Sequence, residues 1–595
     1  MSFLVIKTLK DNLGNIIILA SITLLAYVFS LNNSFVWDDE QFIYNNAFVK
    51  NFEVEKIFTQ NTIAGAGETS TYYRPLTTLS FAIDHAIWGL NPFGFHLTNT
   101  LLHLGAGLLL FFYLRSLKFS KLSSLTISSI FLVHPLQTEA VVYANSRGDS
   151  MYAFWAILSI LSFAMLLKNK YPKFRIYDLD IIFGKIFLTV ITICAYILAI
   201  LSKEIGIATL GLIGLTYLFI QLQNNNFTFK KLFNNSFGIS TIISSLIAAI
   251  GYLIFRSQIL SISTNQENYF SGTAYGDSIY VRLHTFTQAL WTYFSLIFYP
   301  YPLHMERSFE VLVNPISLWL IATIALIIIL IILGIKEYKK SRTYYIAFGS
   351  LWFLSMLVPV SGIIPVNGLI YEHWLYLPII GFTILIYGLK HLLIDKIYQR
   401  KINEVLKSFL PILLIVLIGL TIRQNYIWGD PIRFYNHTLQ FSDSGRLHNN
   451  LAMAYADIKD YQNAIFQYNK AIESNDSYPQ THHNLANTYV SIGEYDLAKK
   501  EFATAIRMNE NFLPSYFPLI QIFDQEKSYE NIDPLLDKLL EISPDNIEFR
   551  YLKAQNQVRQ GNVVEGIKSL NEILQTPNLS TQIKIIVTNL IKSYK

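Results

Sequence analysis

The chain is poor in charge. Only 15% of its 595 residues are Asp, Glu, Lys or Arg, against roughly 25% in an average soluble protein. Hydrophobic residues make up 52%. That much apolar surface does not fit inside one water-bounded core, so a lipid bilayer must act as solvent for much of the chain. The single cysteine, Cys194, excludes an intrachain disulfide framework and a cysteine-built zinc site. It falls in an apolar run and reads as a small packing residue. The net charge of +5 is too slight for a phosphate-reading surface. The basic residues sit between apolar runs, as membrane topology demands, and no nucleic acid partner is expected.

What is present divides near residue 425. Before it, apolar runs recur that are long enough, or nearly so, to cross about 30 Å of hydrocarbon as helices. They read as about 11 spans, at 15–31, 97–114, 122–140, 151–167, 181–201, 205–222, 237–255, 316–334, 345–361, 375–392 and 408–422. The first follows Lys7 and Lys10 but lacks a small-residue cleavage site, and reads as an uncleaved helix.

Orientation follows from where lysine and arginine collect. Lys7 and Lys10 put the N-terminus in the cytoplasm. Alternate loops then hold Arg115, Lys118 and Lys121; Lys168, Lys170, Lys173 and Arg175; and Lys230 and Lys231. The segment 283–299 is apolar too. Counting it as a span would send Lys336, Lys339, Lys340 and Arg342 outside, so it reads as re-entrant or surface-lying. That cluster, with Lys396, Arg400 and Lys401, then stays cytoplasmic, and the C-terminal part lies outside.

From residue 434 a period of 34 replaces the apolar runs. Asn450-Leu451-Ala452 repeats as Asn484-Leu485-Ala486. Tyr455, Tyr461, Ala464 and Ala471 recur as Tyr489, Tyr495, Ala498 and Ala505. This is the tetratricopeptide period, with small residues where paired helices touch. Pro479 breaks the chain between units. A degenerate third copy keeps Leu519 and Tyr529, and a fourth keeps Gly561. The boundaries read as a membrane domain, 1–425, and a repeat domain, 434–595.

Polar residues near the hydrocarbon are costly and mark function by default. On this topology four outer loops carry them. The first opens with Trp37-Asp38-Asp39-Glu40 and runs to Tyr72-Tyr73-Arg74-Pro75. The third span leads through His134 and Glu139 to Arg147 and Asp149. A tight turn is Ser202-Lys203-Glu204, and the loop before the tenth span holds Glu372 and His373. Three adjacent carboxylates can supply a general base or hold a divalent cation. Adjacent like charges raise one another's pKa, which suits a group that takes a proton from a hydroxyl. Arg74, Arg147 and Lys203 can neutralise an anionic leaving group such as a phosphate.

Plainer readings stay open. The acidic triplet can be a solvated surface or a helix cap. Arg147 with Asp149, and Lys203 with Glu204, can be structural ion pairs. His134-Pro135 can mark a bend, and Pro359 with Pro365 an unwound turn. His96 and His103 lie two turns apart on one helix but lack a third metal ligand.

The chain resembles the transmembrane and tetratricopeptide-repeat-containing family of protein O-mannosyltransferases and their bacterial relatives, GT-C type glycosyltransferases. The likeness is carried by Phe35-Val36-Trp37-Asp38-Asp39-Glu40, Tyr73-Arg74-Pro75-Leu76, Trp88-Gly89-Leu90-Asn91-Pro92 and Phe95-His96-Leu97-Thr98-Asn99. Further on come His134-Pro135-Leu136-Gln137-Thr138-Glu139-Ala140-Val141, Ser202-Lys203-Glu204, Pro359-Val360-Ser361 and Glu372-His373-Trp374-Leu375-Tyr376-Leu377-Pro378. These stretches stand in family order ahead of the repeats. Eukaryotic members commonly carry arginine where this chain has His373.

The resemblance implies an all-α fold, a polytopic GT-C-like helix bundle followed by a tetratricopeptide superhelix. It implies a polyprenyl-phosphate sugar donor and an acceptor arriving from the outer side. Asp38 or Asp39, with Glu40 beside them in the catalytic acidic loop, would be the base that activates the acceptor hydroxyl. Arg74, Arg147 and Lys203 would face the donor phosphate, and Asp149, Glu204, Glu139, Glu372 and His373 would line the site. A divalent cation at Asp38 and Asp39 is the only cofactor these residues suggest. The expected activity is transfer of a sugar, mannose in the family's name, to Ser or Thr hydroxyls of extracytoplasmic proteins. The partners would be the lipid bilayer, the lipid-linked donor and a protein held by the repeats. Two alternatives stand beside it: a non-catalytic membrane scaffold, and an enzyme acting on a glycolipid or cell-wall polymer. Richness in Ile, Asn, Lys and Phe leans toward a bacterial inner membrane.

Overall fold

The computed structural model describes residues 2–168, 179–223, 235–260, 273–307, 310–314, 316–364, 368–394, 396–474, 478–576 and 579–594. Lys170, Lys173, Arg175, Lys230, Lys231 and Pro365 lie outside the described residues. Among those described there are helices, turns and loops and no strand. Two compact units result, Met1–Phe441 and Ser442–Lys595.

The first unit runs through α1 (Ser2–Tyr27), α2 (Pro75–Trp88), α3 (Pro92–Ser116), α4 (Lys121–Val133), α5 (Arg147–Leu167), α6 (Leu179–Ser202) and α7 (Thr209–Leu222). It continues with α8 (Ser236–Ile259), α9 (Ile279–Phe298), α10 (Leu318–Ser341), α11 (Tyr345–Leu357), α12 (Pro378–Leu393), α13 (Lys396–Ile427) and α14 (Pro431–Thr438). Starts follow capping chemistry: Asn91, Ser120, Ser278, Ser317 and Asp430 each accept a backbone N–H from the first turn they precede. Pro92 and Pro431 occupy first-turn positions where no N–H is needed.

Among the described residues eight helices are long and apolar enough to cross a membrane, or nine if the bent pair Lys121–Val133 and Pro135–Val142 counts as one. Tyr345–Val360 and Pro378–Leu393 are shorter apolar helices. The segment 283–299 lies almost wholly within the continuous helix α9, which does not belong to the spanning set. The third expected span is broken. Pro135 lacks the N–H that would continue α4, and the chain bends by 53° there. The break leaves carbonyls at the end of α4 without helical partners. His103 Nε2 meets the Leu132 oxygen at 3.0 Å, and the Thr421 hydroxyl donates to the Val133 oxygen at 2.8 Å. His134 Nδ1 accepts the Leu136 N–H. So His134 is the cap of the new turn.

Packing depends on close backbone approach where lipid gives helices no hydrophobic reason to associate. A Cβ on Gly349 would sit 2.4 Å from the Leu385 nitrogen, and one on Gly381 would sit 2.5 Å from the Phe353 nitrogen. α11 and α12 therefore cross at these glycines. α10 has an apolar stretch with none of it buried. Its buried Glu337 accepts N–H bonds from Tyr345 and Ile346 and a hydroxyl bond from Thr343, capping α11.

The second unit stacks helix pairs: Gly445–Asp457 with Tyr461–Glu473, Pro479–Ser491 with Tyr495–Met508, Tyr516–Gln525 with Asp533–Ile542, and Ile547–Arg559 with Val563–Leu574, then Thr581–Ser593. Lys459, Gly493, Lys527 and Gly561, spaced 34 residues apart, all adopt positive φ at the turn inside each pair. The degenerate copies keep the backbone period even where the side chains drift. Ala452, Ala464, Ala486, Ala498 and Ala505 are fully buried where helices meet.

Candidate functional site

The loops that the sequence marks converge at one end of the bundle. The acidic loop leaves α1 and docks on the chain between α4 and α5. Asp39 Oδ1 accepts the Asn145 N–H at 2.7 Å and Oδ2 accepts the Val36 N–H at 3.0 Å. The Asp38 N–H donates to the Tyr143 hydroxyl at 3.1 Å. The three carboxylates differ in setting: Asp39 is fully buried, Asp38 half-buried and Glu40 exposed. Burial pushes the Asp39 carboxyl up to about 8, against the pull of its two amide partners and with a smaller push from Asp38. Burial outweighs the like-charge effect that adjacency alone suggests.

Four ion pairs continue the site. Arg74 Nε lies 2.9 Å from Glu204 Oε2, while the Tyr73 N–H donates to Glu204 Oε1. Lys203 Nζ lies 2.7 Å from Asp149 Oδ2. His373 grips Glu139 twice, through Nδ1 at 2.7 Å and its backbone N–H at 3.0 Å. Glu372 Oε1 takes Arg307 Nη2 at 2.7 Å and the His304 N–H at 2.9 Å. The charges of Lys203 and Glu139 interact, as do those of Arg74 and Asp149, and those of Glu139 and Glu372. The charges therefore alternate from Glu204 through Arg74, Asp149 and Lys203 to Glu139, where the like-charged Glu372 joins with its own partner Arg307. Burial, with Glu139 adding, pushes the Glu372 carboxyl up to about 7 although Arg307 opposes it.

The partners expected within each turn are exchanged. Lys203 pairs with Asp149, and Glu204 with Arg74. Arg147 pairs with Asp84 of α2 at 2.5 Å. Its guanidinium is fully enclosed. It donates to Asn99 Oδ1, Ser80 Oγ and the Phe95 carbonyl, and lies over the Phe81 ring. His96 Nε2 donates to the Asn33 carbonyl, and His103 bridges the Tyr376 hydroxyl and the Leu132 carbonyl. Among the described residues no group of three or more His, Cys, Asp or Glu is gathered as metal ligands. Both Asp39 oxygens take backbone amide protons.

Sequence reasoning missed Asp84, Arg307, His304 and Tyr143. Asp84 carried a signal, a lone acid in an apolar helix. The others become visible only when distant loops meet.

A tetratricopeptide repeat model matches residues 445–478 and 479–512. A protein O-mannosyl-transferase of Caenorhabditis elegans is 25% identical over 488 residues, 80% of this chain and 64% of that protein. One of Mus musculus is 24% identical over 489 residues, 77% of this chain and 51% of its own length. A Homo sapiens protein O-mannosyl-transferase is 33% identical over 156 residues, 25% of this chain and 18% of that protein. The chain thus spans less than two thirds of the length of these relatives. Among solved structures, the Archaeoglobus fulgidus oligosaccharyltransferase in its apo form shares 12% identity at a TM-score of 0.38, covering 72% of this chain and 56% of its own. ArnT from Cupriavidus metallidurans bound to undecaprenyl phosphate has the same identity and TM-score, covering 82% of this chain and 77% of its own. Likeness that distant bears on neither site nor chemistry. By sequence, this chain is similar to transmembrane and tetratricopeptide-repeat-containing protein O-mannosyl-transferases.

Proposed function

We propose that the chain is a multi-pass membrane glycosyltransferase that moves a sugar from a polyprenyl-phosphate carrier to a Ser or Thr hydroxyl of an extracytoplasmic protein. The observation that carries this reading is the meeting of the Asp38 loop, the Arg74 and Lys203 cations and the Glu139–His373 pair at one end of the helices.

In this reading Asp38 is the base, because it is half-buried while both oxygens of Asp39 are committed to amides. The acceptor oxygen attacks the anomeric carbon as its proton passes to the Asp38 carboxylate. The bond from that carbon to the phosphate oxygen breaks, and the lipid phosphate leaves with the electron pair. One displacement inverts the anomeric centre, and no glycosyl-enzyme intermediate is required. Arg74 and Lys203 offset the charge that develops on the leaving phosphate. Asp39 anchors the loop, and Arg147 ties α5 to α2 and α3. The N-terminus is cytoplasmic, the reacting loops lie outside, and the repeats hold the acceptor or a partner.

The test is transfer from lipid-linked sugar to an acceptor peptide by the full chain in proteoliposomes. Asp38→Asn should abolish transfer with the protein still inserted. Full activity in Asp38→Asn would remove the proposed base.

A further inference from the structure

Trp37, the residue immediately before Asp38, sits at φ +58°. A left-handed backbone is costly for any residue with a Cβ, and a large ring there is a genuine outlier. Such strain persists only where the surroundings over-determine it. Here they do. The Trp37 N–H donates to the Tyr435 hydroxyl at 3.1 Å. The indole is buried and packs against the Phe434 ring at 6.3 Å and the Tyr435 ring at 6.0 Å. Both phenyl rings belong to α14, almost 400 residues further along the chain.

The next amide is held the same way. The Asp38 N–H donates to the Tyr143 hydroxyl, and Trp428 joins the two clamps by packing on Tyr143 at 5.5 Å and on Phe434 at 4.5 Å. Two successive amides thus end on two phenol oxygens from different parts of the bundle. Around them, Ser34 donates to the Gly429 carbonyl and Asn33 to that of Asn425. The end of α13 and the start of α14 therefore form a template on which residues 33–38 are laid.

We infer that Tyr435 is a positioning residue for Asp38: its hydroxyl and ring hold Trp37 left-handed, and that backbone turn sets the direction of the Asp38 carboxylate. The inference rests on the reading of Asp38 as the base. A loop bent this way has its base aimed before substrate arrives, and no acceptor binding energy is needed to bend it.

The test compares Tyr435→Phe, Trp37→Ala and Trp37→Gly in the full chain in proteoliposomes. Tyr435→Phe keeps the ring and removes the acceptor oxygen; it should lower kcat on the order of tenfold with KM for the lipid donor unchanged. Both Trp37 variants lose the indole, but only glycine adopts positive φ freely. Trp37→Gly should therefore exceed Trp37→Ala in kcat by roughly fivefold, the reverse of the usual order of these residues. A second readout needs no activity: the rate at which a membrane-impermeant maleimide labels Asp38→Cys in a Cys194→Ser background. Adding Tyr435→Phe or Trp37→Ala should change that rate severalfold, and adding Trp37→Gly should leave it near the parent. Equal behaviour of Trp37→Ala and Trp37→Gly in both readouts, or an unaltered Tyr435→Phe, would overturn the inference. Labelling that follows the expected order while the wild type transfers no sugar would instead overturn the proposed function alone.

Discussion

His373 holds Glu139 at both oxygens, Nδ1 at 2.7 Å from one and the backbone N–H at 3.0 Å from the other. A single residue before α12 thus fixes the one carboxylate on the short helix beyond the break in α4. The carboxylate is almost wholly buried. Removing its partner strands a charge, which costs roughly 3–5 kcal/mol. We expect His373→Ala to lower the stability of the detergent-solubilised protein by about 3 kcal/mol, measured by thermal or denaturant unfolding. His373→Arg supplies a permanent cation beside Glu139 and should recover most of the loss.

Arg147 separates a structural from a donor-binding role. Its guanidinium has protein partners at all three nitrogens and no exposed surface. Lysine cannot reproduce that fork. Arg147→Lys should destabilise the membrane unit by roughly 2–4 kcal/mol, while donor KM in the surviving folded fraction stays within twofold of wild type, a change too small to count as lost binding. A large rise in KM at unchanged stability would return Arg147 to the donor site.

Arg74 and Lys203 should behave in the opposite way. Each keeps some exposure and one carboxylate partner. Arg74→Gln and Lys203→Gln are expected to cost about tenfold each in kcat/KM for the lipid-linked donor. Steady-state assays with varied donor in proteoliposomes would read this. The idea fails if the cost appears only when the acceptor is varied.

Asp39 gives a pH signature. Its carboxyl rises from an ordinary value of about 3.9 to about 8 in the fold. A raised carboxyl binds its proton more tightly when folded. Its contribution to stability is therefore complete below the ordinary value and fades as pH climbs through the folded one. Melting temperature should decline between about pH 4 and pH 8 and level off above that, and Asp39→Asn should flatten the decline. A wild-type profile already flat over this range would argue against a protonated Asp39.

Much of this arrangement was legible in the sequence because topology and charge constrain each other. The pattern of lysine and arginine led to the expectation that the loops of Asp38, Arg74, Glu139, Lys203 and Glu372 share one side, and in the structure those loops touch one another. The repeats were legible because a period of 34 survives in alanines and tyrosines, and even the third and fourth copies keep the left-handed turns at Lys527 and Gly561. What stayed hidden is which side chain meets which. Arg74 finds Glu204 across 130 positions and His373 finds Glu139 across 234. Neighbours in sequence, Lys203 with Glu204, proved to have separate partners, because adjacent residues on a turn point apart. The same limit concealed Arg307 and Tyr435, whose importance comes only from what they touch.

The bend at Pro135 has one more consequence. A straight α4 would have carried Glu139 about 9 Å further along the helix axis, at 1.5 Å per residue. The 53° turn moves it sideways instead, toward the loop before α12. The carbonyls freed by the turn are gripped by His103 of α3 and Thr421 of α13. Glu139 is thereby mounted on a bracket bolted to two other helices.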